Sequence, residues 1–302
     1  MELALSKLEI RALGILSTQE YLAKELATKL VVAKPRVSQV IKSLEKKRLI
    51  SIERKGREKK IALSLASHAQ AFRQLYSARS GTRPENWLSG AALDILTISA
   101  VPAGVSLGLL QIESKYGDAT IYRTLSKLAG AGVIGRKKGH ITISDKLVFD
   151  FVHAYADNIM FKMLEVLKGS NSFSLRIRKH TLTRTDAKKL PGNFTETGLN
   201  RLINEGLEAF QTDYSDQYAN LDGFKREPNL EESFIHALLL TSAQQGQNKP
   251  LLAVFLSKNR NKLDPTRLTL YADWYSFGLN LKTVLNEMRE AVSYSEKIVN
   301  YA

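Results

Sequence analysis

An internal repeat is the feature that most constrains the fold of this chain. Four apolar positions have an apolar counterpart later in the chain, always at the same distance in sequence. The corresponding residues are Val37 and Ile121, Ile41 and Leu125, Leu44 and Leu128, and Ile50 and Ile134. A constant offset that extends through a helical pattern, a turn and the start of a strand indicates a duplicated module. We therefore predict two copies of one folding unit within the segment 1–169.

The first copy has the apolar periodicity of three short helices. Apolar residues at helical spacing run from Leu5 to Leu16 and again from Leu22 to Leu30. Pro35 suits the first turn of a third helix, because its missing N–H has no partner at that position. The apolar stripe of this third helix consists of Val37, Val40, Ile41 and Leu44. Its other face presents polar and basic residues, which are Lys34, Arg36, Ser38, Gln39, Lys42 and Lys46.

A β-hairpin with a basic tip follows the third helix. Apolar and polar residues alternate after Ile50 and again up to Leu63, with a turn at Lys55-Gly56-Arg57. The basic residues that we assign to DNA in this hairpin are Arg54, Lys55, Arg57, Lys59 and Lys60. Three helices followed by a hairpin predict a winged helix-turn-helix, whose third helix enters the major groove of DNA.

The second copy repeats this order of elements with fewer basic residues on its third helix. Ser106 can cap its short second helix, and its third helix begins near Asp118. The residues that we assign to DNA are Thr120, Tyr122, Arg123 and Lys127 on the helix, and Arg136, Lys137 and Lys138 on the hairpin. Because winged helices also serve as protein-docking or dimer-forming modules, the second copy is expected to contact either DNA or protein.

The predicted fold class is mainly α with small β: tandem winged helix-turn-helix units followed by an α+β and then helical C-terminal domain. The expected domains are 1–76 and 87–169, the second ending in a long helix, with a C-terminal domain at 170–302. Turn-forming residues at 77–86 indicate a linker. Within the last domain we expect a strand at 172–178, another at 207–210, and helices from Asn229 onward.

Positive charge is concentrated in the first third of the chain. Residues 1–86 contain 18 Lys and Arg against 8 Asp and Glu, whereas residues 170–302 contain 17 against 15. A local excess of this kind is typical of a surface that binds phosphates, because each neutralised phosphate releases counterions. We expect the C-terminal domain to supply self-association or to bind a protein partner, and not to bind DNA.

Several function classes have no support in the sequence. The chain contains no cysteine, which excludes disulfides, thiolate metal sites and cysteine nucleophiles. No signal peptide or membrane-spanning run is recognisable, so we expect a cytoplasmic protein without a membrane role. The five histidines are scattered without metal-ligand spacing, and no nucleotide-binding loop or catalytic motif is present. We expect a protein without enzymatic activity, cofactor or metal.

The first copy resembles the MarR-type winged helix. The resemblance depends on the end of the third helix, Ser43 to Lys47, and on the returning strand, Lys59 to Ser64, and it covers residues 5–76. The chain departs from that family at the hairpin tip, where Gly56-Arg57-Glu58-Lys59 replaces the usual Asp-Arg-Arg. The resemblance implies a DNA-binding transcription regulator.

The C-terminal region is similar to that of AbiEi-type antitoxins. The similar segments are Glu232 to Thr241 and Leu252 to Arg260, within a region of 172–290. This similarity implies an autoregulating repressor that partners a nucleotidyltransferase-like toxin. A generic domain for dimerisation or ligand sensing is an equal alternative.

Together these features predict a sequence-specific regulator of transcription, a repressor that binds double-stranded DNA as a homodimer. The alternatives are an antitoxin-type autoregulator and a non-enzymatic architectural or assembly factor on DNA. A regulator prefers one short duplex over random DNA by a large ratio at physiological salt, whereas an architectural protein does not.

Overall fold

The computed structural model describes residues 3–55, 58–207, 213–244, 249–259 and 261–275, together with 283, 285 and 286. The described chain is mainly helical with small antiparallel sheets, as expected. It divides into two compact units, an N-terminal unit at Met1–Met163 and a C-terminal unit at Leu164–Ala302. In the described part, no helix is both long and apolar enough to cross a membrane.

The N-terminal unit contains one order of three helices, a hairpin and a further helix twice. The first set is α1 (Lys7–Leu16), β1 (Tyr21–Leu22), α2 (Ala23–Leu30), α3 (Lys34–Lys46), β2 (Ile50–Lys55), β3 (Glu58–Leu63) and α4 (Ser67–Arg79). A 3₁₀ turn (Ser80–Thr82) and the short helix α5 (Pro84–Trp87) come next. The second set is α6 (Ala91–Ser99), α7 (Leu107–Glu113), α8 (Asp118–Gly130), β4 (Ile134–Lys137), β5 (His140–Ile143) and α9 (Lys146–Met163).

The repeat extends to backbone hydrogen bonds. Helices α3 and α8 are equally long, and their first residues, Lys34 and Asp118, are related by the same offset as Val37 and Ile121. After α3 the N–H of Leu49 donates to the carbonyl of Leu44 at 3.0 Å, and after α8 the N–H of Val133 donates to that of Leu128 at 2.9 Å. In both turns the residue before this donor has a positive φ, 56° at Arg48 and 68° at Gly132. The two turns are therefore the same backbone structure.

The two hairpins differ in length. The β2–β3 ladder has six residue pairs, from Ile50↔Leu63 to Lys55↔Glu58, whereas the β4–β5 ladder has four, from Ile134↔Ile143 to Lys137↔His140. The returning strands therefore match at a shorter offset, at which Leu63 aligns with Ile143 and Ile61 with Ile141. A shared contact confirms this alignment, because Tyr21 pairs with Ile61 and Val105 pairs with Ile141.

The segment 77–86, expected to be a linker, is largely helical. Helix α4 continues to Arg79, and the 3₁₀ turn and α5 follow. The indole Nε1 of the buried Trp87 donates to Thr82 Oγ1 at 3.1 Å, and the N–H of Gly90 donates to the carbonyl of Leu5 at 3.0 Å. These contacts make the segment part of the packed structure, and both repeats belong to one compact unit.

The C-terminal unit combines a four-stranded antiparallel sheet with helices. Its elements are a 3₁₀ turn (Leu164–Leu167), β6 (Ser172–Ile177), β7 (His180–Thr185), β8 (Thr195–Glu196), α10 (Gly198–Asn204), β9 (Ser215–Asn220), α11 (Leu230–Ala243), α12 (Lys249–Lys258) and α13 (Pro265–Trp274). The strand order is β6-β7-β9-β8. Helix α11 contacts β7, α10, α12 and α13 and is the centre of this unit.

The observed elements of this unit differ from the sequence-based expectations at Leu207 and at β9, and part of the last expected helix lies outside the described residues. The sequence predicts that Leu207 begins a strand, but its N–H donates to the carbonyl of Leu202 at 2.9 Å and ends α10; residues 208–210 lie outside the description. The central strand β9 is not predicted from the sequence, because Ser215-Asp-Gln-Tyr-Ala-Asn220 lacks an apolar alternation. Most of the last expected helix, through Leu281 and Met288, also lies outside the description.

Candidate functional site

Helix α3 separates an apolar face from a polar one. Val37, Val40, Ile41 and Leu44 are buried. The residues assigned to DNA on this helix are all exposed: Lys34, Arg36, Ser38, Gln39, Lys42 and Lys46. The side chains face solvent because the helical period leaves these positions outside the buried stripe. We refer to these six residues as the α3 face.

Two side chains of the α3 face are linked to each other. The Nη1 of Arg36 donates to Oε1 of Gln39 at 2.9 Å, one helical turn away. Arginine recognises the O6 and N7 atoms of guanine, and glutamine recognises the N6 and N7 atoms of adenine. The pair therefore places two groups able to bind base edges side by side at the exposed N-terminal half of α3.

The first hairpin offers Arg54 and Lys59 to solvent. The two residues are paired across the ladder and both are exposed. Lys60 is different, because its ammonium forms an ion pair with Glu20. The hydrogen bond to Glu20 also raises the pKa of Lys60. Arg57 and the side chain of Lys55 lie outside the described residues.

The second repeat has a smaller basic face. On α8, Ile121, Leu125 and Leu128 are buried, and Tyr122, Arg123 and Lys127 are exposed. Thr120 is half-buried, and its Oγ1 accepts a hydrogen bond from Nη2 of Arg123 at 3.5 Å. The basic residues of the second hairpin are all exposed, and these are Arg136, Lys137 and Lys138.

A buried ion pair that was not expected from the sequence anchors the C-terminal end of α3. The Nζ of Lys47 lies 2.8 Å from Oε1 of Glu9 on α1, and both side chains are 8% exposed. Ser43 Oγ donates to the same carboxylate oxygen at 2.7 Å, and Lys47 Nζ also donates to the carbonyl of Ala4 at 2.8 Å. Burial by itself raises the pKa of Glu9, but hydrogen bonds from Lys47, the Ser6 N–H and Ser43 lower it below its ordinary value.

The sequence contained a signal for this pair. Lys47 lies three residues after Leu44, on the buried stripe of α3, and Glu9 lies four residues before Leu13, on the buried stripe of α1. Opposite charges at the apolar positions of two adjacent helices indicate a buried pair, because an unpaired buried charge is very unfavourable. In the second repeat, the positions equivalent to Glu9 and Lys47 are Leu93 and Ala131.

No protein-family model, curated protein or solved structure matches this chain. Function is therefore inferred from the residues of the chain itself. The resemblances to MarR-type regulators and to AbiEi-type antitoxins stay hypotheses.

A second group of polar side chains lies inside the C-terminal unit. Arg226 donates two hydrogen bonds to the carboxylate of Glu232, and the one from Nη1 to Oε2 is 2.6 Å long. His236, one turn further along α11, is fully buried and lies 2.7 Å from Thr197 Oγ1 through its Nδ1. Burial lowers the pKa of His236 to about 3, so the imidazole is neutral at pH 7. Tyr218 stacks on this imidazole with ring centroids 5.3 Å apart.

One member of this group, Tyr218, belongs to the hydrophobic core of the C-terminal unit. Trp274 and Tyr275 pack against His180, with ring centroids 6.4 and 5.5 Å away, and both aromatic side chains are buried. Among the described residues, no group of three His, Asp or Glu side chains is arranged to hold a metal ion.

Proposed function

We propose that this protein is a sequence-specific regulator of transcription that binds double-stranded DNA, with each repeat acting as a winged helix-turn-helix. The observation that carries the proposal is the α3 face, an exposed row of basic and polar side chains opposite a buried stripe. The hairpin that follows α3 in the chain exposes Arg54 and Lys59. This order of elements is the one in which the third helix lies in the major groove and the hairpin contacts the backbone.

The chemistry of the α3 face divides into two parts. Arg36 and Gln39, linked at 2.9 Å, are suited to base edges because each can form two hydrogen bonds with one base. Lys42 and Lys46 lie one and two turns further along the helix and are suited to phosphates, which fix the position of the protein on the duplex. Arg54 and Lys59 extend the phosphate contacts away from the helix.

The charge distribution favours DNA as the partner. Residues 1–86 hold 18 basic against 8 acidic side chains. Among the described residues assigned to DNA in the first repeat, Lys60 is paired with Glu20, whereas the basic residues of the α3 face, Arg54 and Lys59 are exposed and suited to phosphates. Binding to DNA through these groups predicts a steep dependence of affinity on salt concentration.

Repression is the form of regulation that we favour. A protein that binds a short duplex tightly can repress transcription by occupying DNA to which the polymerase must bind. Repression of this kind requires no catalytic group.

Two measurements test the proposal together. Genome-wide occupancy in the source organism should give one short shared motif, and the purified full chain should bind a duplex with that motif about a thousandfold more tightly than an unrelated duplex at physiological salt. The double variant Arg36→Ala/Gln39→Ala should lose most of this preference. The variant Arg11→Ala, which removes an exposed arginine from α1, should retain it. Equal affinity of the wild-type chain for unrelated duplexes would contradict sequence-specific regulation and favour an architectural role.

A further inference from the structure

We infer that the N-terminal unit is an internal pseudo-two-fold dimer, so that one chain presents both α3 and α8 to a single duplex and recognises two half-sites of different sequence. The inference rests on the proposed function and specifies the kind of DNA site that the protein binds. Four observations carry it, and each concerns the relation between the two repeats.

Helices α4 and α9 are equivalent elements of the two repeats. Each follows the returning strand of its hairpin, where Leu63 aligns with Ile143. The N–H of Ser64 donates to the carbonyl of Leu49 at 3.0 Å, and the N–H of Ser144 donates to the carbonyl of Val133 at 2.9 Å. Both helices therefore leave their hairpins from the same backbone position.

These two equivalent helices pack against each other in antiparallel directions. Phe72 meets Phe151 edge-to-face with ring centroids 5.4 Å apart, and His68 lies 6.3 Å from Tyr155 between ring centroids. A step of one turn back along α4 thus corresponds to a step of one turn forward along α9. An antiparallel contact between equivalent helices is the contact that a two-fold axis produces.

A reciprocal pair of hydrogen bonds gives the second sign of two-fold symmetry. Asn158 Nδ2 on α9 donates to the carbonyl of Lys47 at 3.0 Å, and Arg79 Nη1 on α4 donates to the carbonyl of Ala131 at 3.2 Å. Lys47 and Ala131 are the equivalent C-cap residues of α3 and α8. In the alignment of α4 with α9, Asn158 is equivalent to Ala78, which is next to Arg79. Each repeat therefore donates a hydrogen bond to the C-terminal end of the other repeat's third helix, and the two donors occupy nearly equivalent positions.

This arrangement has a direct consequence for DNA. Two-fold symmetric regulators present two recognition helices to major-groove segments about one helical turn apart. In those regulators the second helix comes from a second subunit, whereas here α3 and α8 have an equivalent relation to one axis within one chain. A single chain therefore suffices for two half-sites, and the homodimer expected from the sequence is not needed to bind them.

The two half-sites cannot have the same sequence, because the exposed residues differ at equivalent positions. Arg36 corresponds to Thr120, and Gln39 corresponds to Arg123. Lys42 corresponds to Ser126, so α8 has fewer groups for phosphates. The target site is therefore non-palindromic, with the larger part of the affinity in the half-site of α3.

The test is a selection from a randomised duplex with the purified full chain, followed by the mass of the complex in solution. We expect one chain per duplex and a motif of two unlike halves about 10 base pairs apart. Arg36→Ala should relax the sequence preference in one half and Arg123→Ala in the other, each with about a 10-fold loss of affinity. Arg11→Ala is the matched control, and an unchanged unfolding transition of each variant shows that the fold is intact.

The outcomes separate this inference from the proposed function. Two chains on a palindromic motif, with both halves relaxed by Arg36→Ala and neither by Arg123→Ala, would overturn the internal dimer and leave the proposed function standing. A selected motif with a single half-site, recognised equally well by Arg123→Ala, would also overturn the internal dimer and leave the proposed function standing. Binding without any preferred motif would overturn both.

Discussion

The side-chain amide of Asn158 donates a hydrogen bond to the backbone carbonyl of Lys47, 3.0 Å away and 111 residues earlier in the chain. This carbonyl lies at the C-terminal end of α3, the helix that we propose for the major groove. Nε2 of His68 lies 3.3 Å from the same oxygen. Because an unsatisfied carbonyl is unfavourable in a buried environment, both side chains fix the end of α3 relative to the helix pair of α4 and α9.

Replacement of Asn158 should therefore destabilise the N-terminal unit. We expect Asn158→Ala to lower its free energy of unfolding by about 1–3 kcal/mol, since the carbonyl of Lys47 loses a buried donor. Chemical denaturation followed by the fluorescence of Trp87, in a Trp274→Phe background, reports on this unit alone. Lys146→Ala, at an exposed ion pair on the same helix, should change the stability by less than about 1 kcal/mol. Equal effects of the two substitutions would contradict the role of Asn158.

Arg36 and Gln39 should each contribute to sequence preference. We expect Arg36→Ala and Gln39→Ala to cost about 1–3 kcal/mol of specific binding each, and to relax the preference at separate base pairs. Their mutual hydrogen bond also makes the two losses non-additive, because each single variant releases the other side chain. Titration of the motif duplex and of single-base variants measures this. Wild-type affinity and preference in both variants, with the fold intact, would remove these residues from the interface.

Lys59 and Lys60 are neighbours in sequence but should differ in their effect on binding. Lys59→Ala should reduce the slope of log affinity against log salt by about one unit, as expected for one lost phosphate contact. Lys60→Ala should change the slope less, because Glu20 already neutralises this ammonium. Glu20→Ala frees Lys60 and should strengthen binding at low salt. Equal slopes for Lys59→Ala and Lys60→Ala would show that the ion pair with Glu20 opens on DNA.

The positions of α3 and α8 could be predicted from the sequence because their apolar stripes have a strong helical period. The stripe of Val37, Val40, Ile41 and Leu44 determines which side is buried, and hence which polar residues face solvent. The pairing of charges on the first hairpin could not be predicted in this way. Lys60 and Lys59 look alike in the sequence, and Glu20 reaches Lys60 because β1 lies beside β3 in the sheet.

Contacts between distant segments account for what sequence reasoning missed. Residues 77–86 contain turn formers, but burial of Trp87 and the continuation of α4 to Arg79 override that local preference. The strand β9 has a polar sequence because its partners are polar as well. Asp216 on β9 receives two hydrogen bonds from Arg184 on β7, at 2.7 and 2.9 Å, and this match depends on a pairing 32 residues apart.

The buried pair of Glu9 and Lys47 should make the N-terminal unit sensitive to acid. Glu9→Gln leaves the ammonium of Lys47 buried without a counter-charge, and we expect a loss of about 3 kcal/mol in the free energy of unfolding at pH 7. The pKa of Glu9 is lower in the folded protein than in the unfolded chain. Its contribution is therefore complete above the unfolded value of about 4.3 and is lost as the pH falls through the folded value.

Denaturation followed by Trp87 fluorescence at pH 7 and at several lower pH values measures this loss. The gap between the wild-type chain and Glu9→Gln should close as the pH falls. Glu45→Gln, at an exposed position on α3, is the matched control and should have little effect at any pH. A gap that is small at pH 7, or that stays constant with pH, would contradict the buried pair.

His236 should give the C-terminal unit a different dependence on pH. Its pKa is lowered by burial to about 3 in the folded protein, against about 6.5 in the unfolded chain. Between these two pH values the unfolded chain therefore binds a proton that the folded protein does not bind. The free energy of unfolding is at its full value above about pH 6.5 and decreases by about 1.4 kcal/mol per pH unit below it.

We expect the wild-type chain to lose stability relative to His236→Gln as the pH falls from 7 to about 5. Trp274 fluorescence in a Trp87→Phe background measures this unit, and His140→Gln, at the exposed tip of the second hairpin, is the control. A stability difference between the wild-type chain and His236→Gln that does not change with pH would show that His236 takes up its proton in the folded protein, in conflict with its burial against Tyr218 and Thr197.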